Sequence, residues 1–306
     1  MTITVASSPA SFGATRATVG VVPGLLDAER VLDEVRRAGY AGIELGPSGY
    51  LGRGRELGER LGTRELGVSS VVLELPFVIP DVVTTARPEL DAVLDGLDAL
   101  RDQVPGPVPR VVLVDAGDDR RRASPGVSHL APDNWSLDDA GWDRFARGLN
   151  AVTLHCRRRG YVAAVRPRAG TFVEAPAEID AVMRVCDVGL CLDTGQVLIG
   201  GGDPVIVLRE WSDRVELVYL KDAIRSRMQD VIDEGEPTSA IWSREVFCAL
   251  GDGDVDCVGV LQQLEVVDFS GWLVVEQDLF ASTTDRIARG ISDQRRNRQF
   301  LKGHGF

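Results

Sequence analysis

The feature of this sequence that most restricts how it can fold is an alternation. Eight short apolar runs, at residues 3–6, 41–45, 69–75, 110–115, 161–165, 188–193, 215–220 and 272–276, are separated by stretches of helical period. Short apolar runs read as buried strands, and strands that alternate with amphipathic helices build a parallel sheet. Ala28, Val31, Leu32 and Val35 form one apolar stripe ahead of Gly39, a residue suited to ending a helix. Asp203 and Pro204 pair a capping carboxylate with a proline at the head of 205–211. Ser136 and Asp139 have the spacing of a capping box for a helix running toward Arg159. Stretches 89–102, 176–186, 255–267 and 284–301 supply further helices.

Eight such units in 306 residues predict an α/β protein, a single (β/α)8 TIM barrel spanning 1–306. No G-x-G-x-x-G opens a helix after the first strand, which removes the main support for a doubly wound dinucleotide-binding sheet. Two connections are long, 117–135 after the fourth strand and 223–253 after the seventh. In a barrel both lie on the C-terminal face, where barrel enzymes build their sites. Trp135, Trp242 and Phe247 within them predict packed lids rather than loose surface.

Composition narrows the partners. With 34 Lys and Arg against 46 Asp and Glu, the net charge is −12, and the chain lacks the clustered basic excess that nucleic acid requires. No apolar run reaches the roughly 18 residues of a membrane span, and Met1-Thr-Ile-Thr-Val5 has no basic leader. Cys156, Cys186, Cys191, Cys248 and Cys257 form no C-x-x-C pair and predict buried thiols in a reducing cytoplasm. The expected partner is a small molecule, and a homo-oligomer is compatible with these features.

The strands end in ionisable residues: Glu44, Glu74, Asp115, Arg166 with Arg168, Asp193, Lys221 with Asp222, and Glu276 with Asp278. At successive strand ends such groups converge on one mouth. Residues two apart on a strand point the same way, so Arg166 matches Arg168 and Tyr219 matches Lys221. Asp193 and Glu276 facing a cationic wall have three uses: holding a divalent ion, sharing proton transfers, or neutralising the arginines. His129, His155 and His304 are the only histidines, and none stands at a strand end, so an imidazole-rich metal site is not expected. The absence of a G-x-S-x-G elbow and of a glycine-rich P-loop argues against serine hydrolysis and nucleotide chemistry.

Seven segments together resemble one family. They are Ala38-Gly-Tyr-Ala-Gly-Ile-Glu-Leu-Gly-Pro47, Arg166-Pro-Arg-Ala-Gly-Thr-Phe-Val-Glu174, Leu192-Asp-Thr-Gly-Gln196, Gly200-Gly-Gly-Asp-Pro204, Tyr219-Leu-Lys-Asp222, Leu250-Gly-Asp-Gly-Asp-Val-Asp256 and Gly271-Trp-Leu-Val-Val-Glu-Gln-Asp278. The set is similar to the xylose isomerase-like TIM-barrel sugar phosphate isomerase/epimerase family, and within it to the inosose dehydratase branch. The resemblance implies a barrel mouth with a divalent ion, usually Mn, Co or Mg, and proton abstraction next to a carbonyl, followed by reprotonation or by loss of a β-hydroxyl. It aligns Asp193 and Glu276 with metal-binding carboxylates, and Lys221 and Asp222 with a Lys-Asp pair. Where the branch commonly has His, this chain has Arg166, Arg168, Gln196 and Tyr219, which are poor metal ligands.

The resulting expectation is an isomerase, epimerase or dehydratase with no tightly bound metal, acting on a polyoxygenated small molecule that the paired arginines allow to be anionic. Arg168, Asp193, Lys221 and Glu276 are the expected catalytic residues, with Arg168 as electrophile and Glu276 or Asp193 moving the proton. Glu44, Arg166, Glu174, Gln196, Tyr219 and Gln277 are expected to bind substrate. The alternatives are a metal enzyme using Asp193, Glu276 and oxygens such as Glu174 or Glu44, and a non-catalytic binding protein. Arginines paired with Asp193 and Glu276 and binding nothing are the plainer outcome.

Overall fold

A computed structural model describes residues 2–306, apart from the side chains of Pro132 and Asn134. Its strands are β1 (Ile3–Ser7), β2 (Gly42–Ile43), β3 (Gly67–Val68), β4 (Ser70–Leu75), β5 (Arg110–Asp115), β6 (Ala163–Val165), β7 (Gly189–Asp193), β8 (Val215–Leu220), β9 (Asp222–Ala223), β10 (Phe247–Cys248) and β11 (Gly271–Val275). The main sheet runs β3-β2-β1-β11-β8-β7-β6-β5-β4, with every pairing parallel. The two ends of that order are halves of one run, broken only at Ser69. Ser69 closes the ring, because its N–H donates to the Ile43 carbonyl at 3.0 Å and its own carbonyl accepts from the Arg110 N–H at 3.0 Å. The expected barrel is the observed one, and each stave coincides with a run read from the sequence to within about two residues at each end.

Alternation sorts the strand residues into two layers. Ala6, Val112, Val114, Ala164, Cys191, Leu217, Tyr219, Trp272 and Val274 pack inside the barrel. Their neighbours, such as Val5, Val111, Leu113, Val165, Leu190, Leu192, Val218, Leu220, Leu273 and Val275, belong to the larger core packed with the helices. Trp272 plugs the N-terminal end, with its indole N–H donating to the Pro107 carbonyl at 3.1 Å. A Cβ at Gly42 would lie 2.6 Å from that ring, so glycine there is a packing requirement.

Two helix expectations are adjusted and a third holds. The helix expected at 89–102 is Val82–Leu100 and contains Pro88. Burying Val82 and Ala86 at its start outweighs the one hydrogen bond that the proline cannot donate. The helix Asp139–Arg158 is capped by Asp138, whose carboxylate accepts from the Gly141 N–H at 2.7 Å, while Ser136 accepts from the Trp142 indole. Asp203 caps Pro204–Glu210 as expected.

The two long connections are built rather than loose. The first contains helices Asp119–Ala123 and Pro132–Trp135, and the second contains Arg225–Asp233, Ser239–Ser243 and the antiparallel β9–β10 pair. They touch where the Thr238 N–H donates to the Arg122 carbonyl at 2.8 Å. Phe247 is buried, and the Arg120 guanidinium stacks 4.2 Å from the Trp135 ring.

Candidate active site

The inward alternation that fills the barrel continues past the strand ends. Ala164 leads to Arg166, Cys191 to Asp193, Tyr219 to Lys221 and Val274 to Glu276, and each of these groups turns into the same mouth. At its centre the Arg166 guanidinium donates from Nε to Asp193 Oδ2 at 2.9 Å and from Nη2 to the same oxygen at 2.5 Å, and it also bonds to Glu276 Oε1. Its plane lies over the Tyr219 ring, 3.9 Å from the centroid. Lys221 Nζ is 2.7 Å from Glu276 Oε1, 3.0 Å from Asp278 Oδ2 and 3.7 Å from Asp193 Oδ2. The Phe247 ring covers this ammonium at 4.2 Å. Asp193 and Lys221 are fully buried, so these charges interact through a medium that screens them little.

Electrostatics fix the protonation of most of the cluster. Burial works against the charged form of Glu276, but Arg166 and Lys221 overcome it and hold the carboxyl well below the usual carboxylate range. Burial likewise opposes the charges of Arg166 and Lys221, and the facing carboxylates outweigh it, so both stay cationic. Glu44 differs. The Tyr219 hydroxyl donates to its Oε2 at 2.7 Å and is 2.9 Å from the Ser70 hydroxyl. Burial, reinforced by the negative charge of Glu276, pushes the Glu44 carboxyl up to about 7.

The remaining expected residues fall at varied distances from this centre. Arg168 does not share it. The sheet pairing of β6 ends at Val165, the Arg168 N–H turns back to the Val173 carbonyl at 2.8 Å, and the guanidinium pairs at the rim with Glu74 at 2.7 Å. The two-residue alternation that would align Arg168 with Arg166 therefore does not apply. Gln196 buttresses the mouth, its N–H donating to Asp193 Oδ1 and its Oε1 accepting from the Ala169 N–H, both at 2.9 Å. Gln277 is buried and donates to Asp293 at 3.1 Å. Asp222 accepts from the N–H groups of Ala223, Gly251, Gly253 and Val255 and fastens the second long loop.

Glu174 lies in a second buried group, accepting from the Gly170 N–H at 2.7 Å with Arg121 Nη2 at 3.6 Å. Burial pushes its carboxyl up to about 7. Arg121 itself forms a fork to Glu178 at 2.9 and 3.0 Å, a pairing that sequence reading missed because the partners are 57 residues apart. Asp278, read from the sequence with Glu276 as one of the strand-end groups of the mouth but given no catalytic or binding role there, is found at the Lys221 ammonium.

The divalent ion implied by the resemblance does not fit these residues. The space between Asp193 and Glu276 is taken by the Arg166 guanidinium and the Lys221 ammonium, and the Tyr219 hydroxyl is turned to Glu44. Among the described residues no group of three or more His, Cys, Asp or Glu stands together so as to hold a metal.

Comparison with known proteins agrees with the fold and the motifs. The family model described as "Xylose isomerase-like TIM barrel" matches residues 32–292. The rhizopine catabolism protein MocC of Rhizobium meliloti is 30% identical over 281 residues, covering 91% of this chain and 82% of that protein. An inosose dehydratase of Lactiplantibacillus plantarum is 25% identical over 253 residues, covering 82% and 81%. With the inosose dehydratase of Geobacillus kaustophilus the identity is 34% over 145 residues, which spans about half of each chain, 46% and 47%. Among solved structures, the IOLI protein, crystallised with a bound zinc atom, superposes with a TM-score of 0.70 at 14% identity and covers 97% of both chains. This chain belongs to the xylose isomerase-like TIM barrel family.

Proposed function

We propose that the barrel mouth catalyses proton transfer next to a carbonyl of a polyhydroxylated small molecule, with fixed protein cations in the role that a divalent ion has in a metal-dependent enzyme. Within its family the chain is an enzyme of isomerase or lyase type. The observation that carries the reading is the Arg166 guanidinium lying between Asp193 and Glu276 with the Lys221 ammonium beside it. The reading includes no tightly held divalent ion, and it sets the reaction in the cytoplasm, in keeping with five free cysteines.

Arg166 bonds to the carboxylates through Nε and Nη2, which leaves Nη1 for a substrate oxygen. A carbonyl oxygen held there becomes an enolate oxygen when the neighbouring C–H proton leaves, and a guanidinium that does not titrate stabilises it. Glu44 takes the proton, since a carboxyl titrating near neutrality suits general base and general acid work in turn. Asp193 and Glu276, expected from sequence to move the proton, are fixed counter-charges in this reading, and Arg166 takes the electrophile's part expected of Arg168. Arg168 at the rim and Gln196 within the wall bind and shape. When Glu44 returns the proton on its own face to the former carbonyl carbon, and the neighbouring hydroxyl gives its proton to the enolate oxygen, the carbonyl moves by one carbon and the product is an isomer. When that proton instead leaves with the β-hydroxyl as water, the product is dehydrated, and the dehydratase names among the relatives support this second course.

Incubating the protein with inosose and following product by proton NMR tests the reading. Turnover should be present in the natural chain and lost in Arg166→Met and Glu44→Gln, and near-normal turnover in both variants would overturn it.

A further inference from the structure

Positive charge in this chain is almost all arginine. Of 34 basic side chains only Lys221 and Lys302 are lysine, and Lys302 is an exposed residue in the last turn of the helix Thr284–Gly303. Lys221 is the buried one. A lysine is a compact charge on a flexible stem, whereas arginine presents a rigid fork. To act as a fixed cation beside Arg166, Lys221 needs its backbone and its stem held as well as its head.

The head is held by Glu276, Asp278 and the Phe247 ring. The backbone is held by Thr194. Strand β8 ends at Leu220 and β9 begins at Asp222, so Lys221 stands at the break between them. Its N–H donates to Thr194 Oγ1 at 2.9 Å, and the same hydroxyl donates to the Lys221 carbonyl at 2.6 Å. Thr194 is fully buried, and its one hydroxyl meets both main-chain groups of the lysine. The stem is held against Gly195, where a Cβ would lie 2.7 Å from Lys221 Cγ and 2.9 Å from Cδ. Gly195 lies within the helix Thr194–Ile199 and has no positive φ, so the close approach of the stem is what calls for glycine there. Asp193, which caps the same helix, binds Arg166. Three successive residues at one helix start thus reach both cations of the mouth.

We propose that Thr194 and Gly195 are positioning residues: the Thr194 hydroxyl fixes the backbone of Lys221, the bare face of Gly195 receives its stem, and together they place the ammonium where negative charge develops on the substrate. The proposal rests on the reading of the mouth as a site of enolate formation. A cation stabilises such charge best when it is in place before the reaction begins.

Two lysines make the ammonium visible by itself. In the full chain labelled with isotopic nitrogen at lysine alone, the Nζ signals of Lys221 and Lys302 are told apart by Lys302→Arg. Thr194→Val keeps the shape and removes the hydroxyl. It should move or broaden the Lys221 signal, leave the Lys302 signal in place, and lower kcat on inosose by about 10- to 100-fold, the scale of a group displaced by about 1 Å. KM should stay within about twofold, since the cation acts on charge that develops only in the transition state. Thr194→Ser should restore both readouts. Gly195→Ala leaves the Thr194 hydroxyl in place and favours the helix, so it should fold. Its Cβ should displace the stem, moving the same signal and lowering kcat in the same way. Because both residues act through Lys221, neither substitution should lower kcat further in a Lys221→Met background. A Lys221 signal unmoved in both variants, a loss that Thr194→Ser fails to restore, or an equal further loss in the Lys221→Met background would overturn the proposal. A signal that moves as expected in a protein whose natural chain turns nothing over keeps the clamp on Lys221 and removes the mouth chemistry. A natural chain that turns inosose over, with the signal fixed in both variants, does the reverse.

Discussion

Replacing Arg166 with methionine removes the charge at the centre of the cluster and keeps most of the side chain's volume. In the natural chain this guanidinium is bonded to two buried carboxylates and stacked 3.9 Å from the Tyr219 centroid. Its loss leaves Asp193 Oδ2 with only Lys221 at 3.7 Å, while Glu276 keeps its 2.7 Å contact to the same ammonium. Removing one partner of a buried ion pair costs about 3–5 kcal/mol, and the surviving Lys221 contact argues for the lower end. At about 2–4 °C per kcal/mol for a chain of this size, the melting temperature should fall by about 6–12 °C. With the guanidinium gone, Asp193, Glu276 and Glu44 face one ammonium, and millimolar Mn should raise the variant's melting temperature by mass action while leaving the natural chain unaffected. Thermal unfolding followed by circular dichroism, with and without Mn, measures both effects. A variant as stable as the natural chain, or a natural chain stabilised by Mn as much as the variant, would refute the reasoning.

Other expectations follow from the same geometry. Because Arg166 occupies the space between the carboxylates, installing His at 168, 196 and 219 together should bring no gain in Mn affinity, whereas Arg166→Glu with Tyr219→His should produce a measurable calorimetric binding curve. Glu44 has a folded pKa raised from 4.5 to about 7, so its contribution to stability is fully present below about pH 4.5 and is lost as pH rises to about 7, and Glu44→Gln should flatten that part of the stability profile. As the proton acceptor, Glu44 should also give kcat/KM an acid limb with a midpoint near pH 7, and a limb absent in that region would remove it from the role. Gly42→Ala forces a Cβ to 2.6 Å from the pinned Trp272 ring and should cost about 1–3 kcal/mol in denaturant unfolding. Arg168→Lys, at a half-exposed rim pair, should change stability by less than about 1 kcal/mol.

The barrel was legible in the sequence because alternation and helix punctuation are local signals. The runs that became β4, β5, β7 and β8 are apolar enough to be read directly, and Gly39, Asp203 and Pro204 mark helix ends by their own chemistry. The convergence of Arg166, Asp193, Lys221 and Glu276 was legible for the same reason, since each ends a strand. What sequence could not order was the ranking within the mouth. Arg166 and Arg168 are chemically identical, and only the end of the ladder at Val165 decides which one turns inward. The raised carboxyl of Glu44 depends on Tyr219 and Glu276, which are 175 and 232 residues away along the chain, and no window of sequence holds them together. The helix cap moved from Ser136 to Asp138 because two candidate caps stood side by side and the carboxylate prevailed.

The central claim is that Arg166 and Lys221 stabilise the developing negative charge without a divalent ion. It is tested most directly by hydrogen–deuterium exchange at the carbon next to the carbonyl of inosose, measured in D2O with enzyme exhaustively stripped of metal by chelation. The account predicts that stripped enzyme exchanges as fast as untreated enzyme, that added Mn, Co or Mg changes nothing, and that Arg166→Met slows exchange by about 10²–10³-fold, the usual loss for one preorganised donor. Exchange that vanishes on chelation and returns with added metal would contradict it.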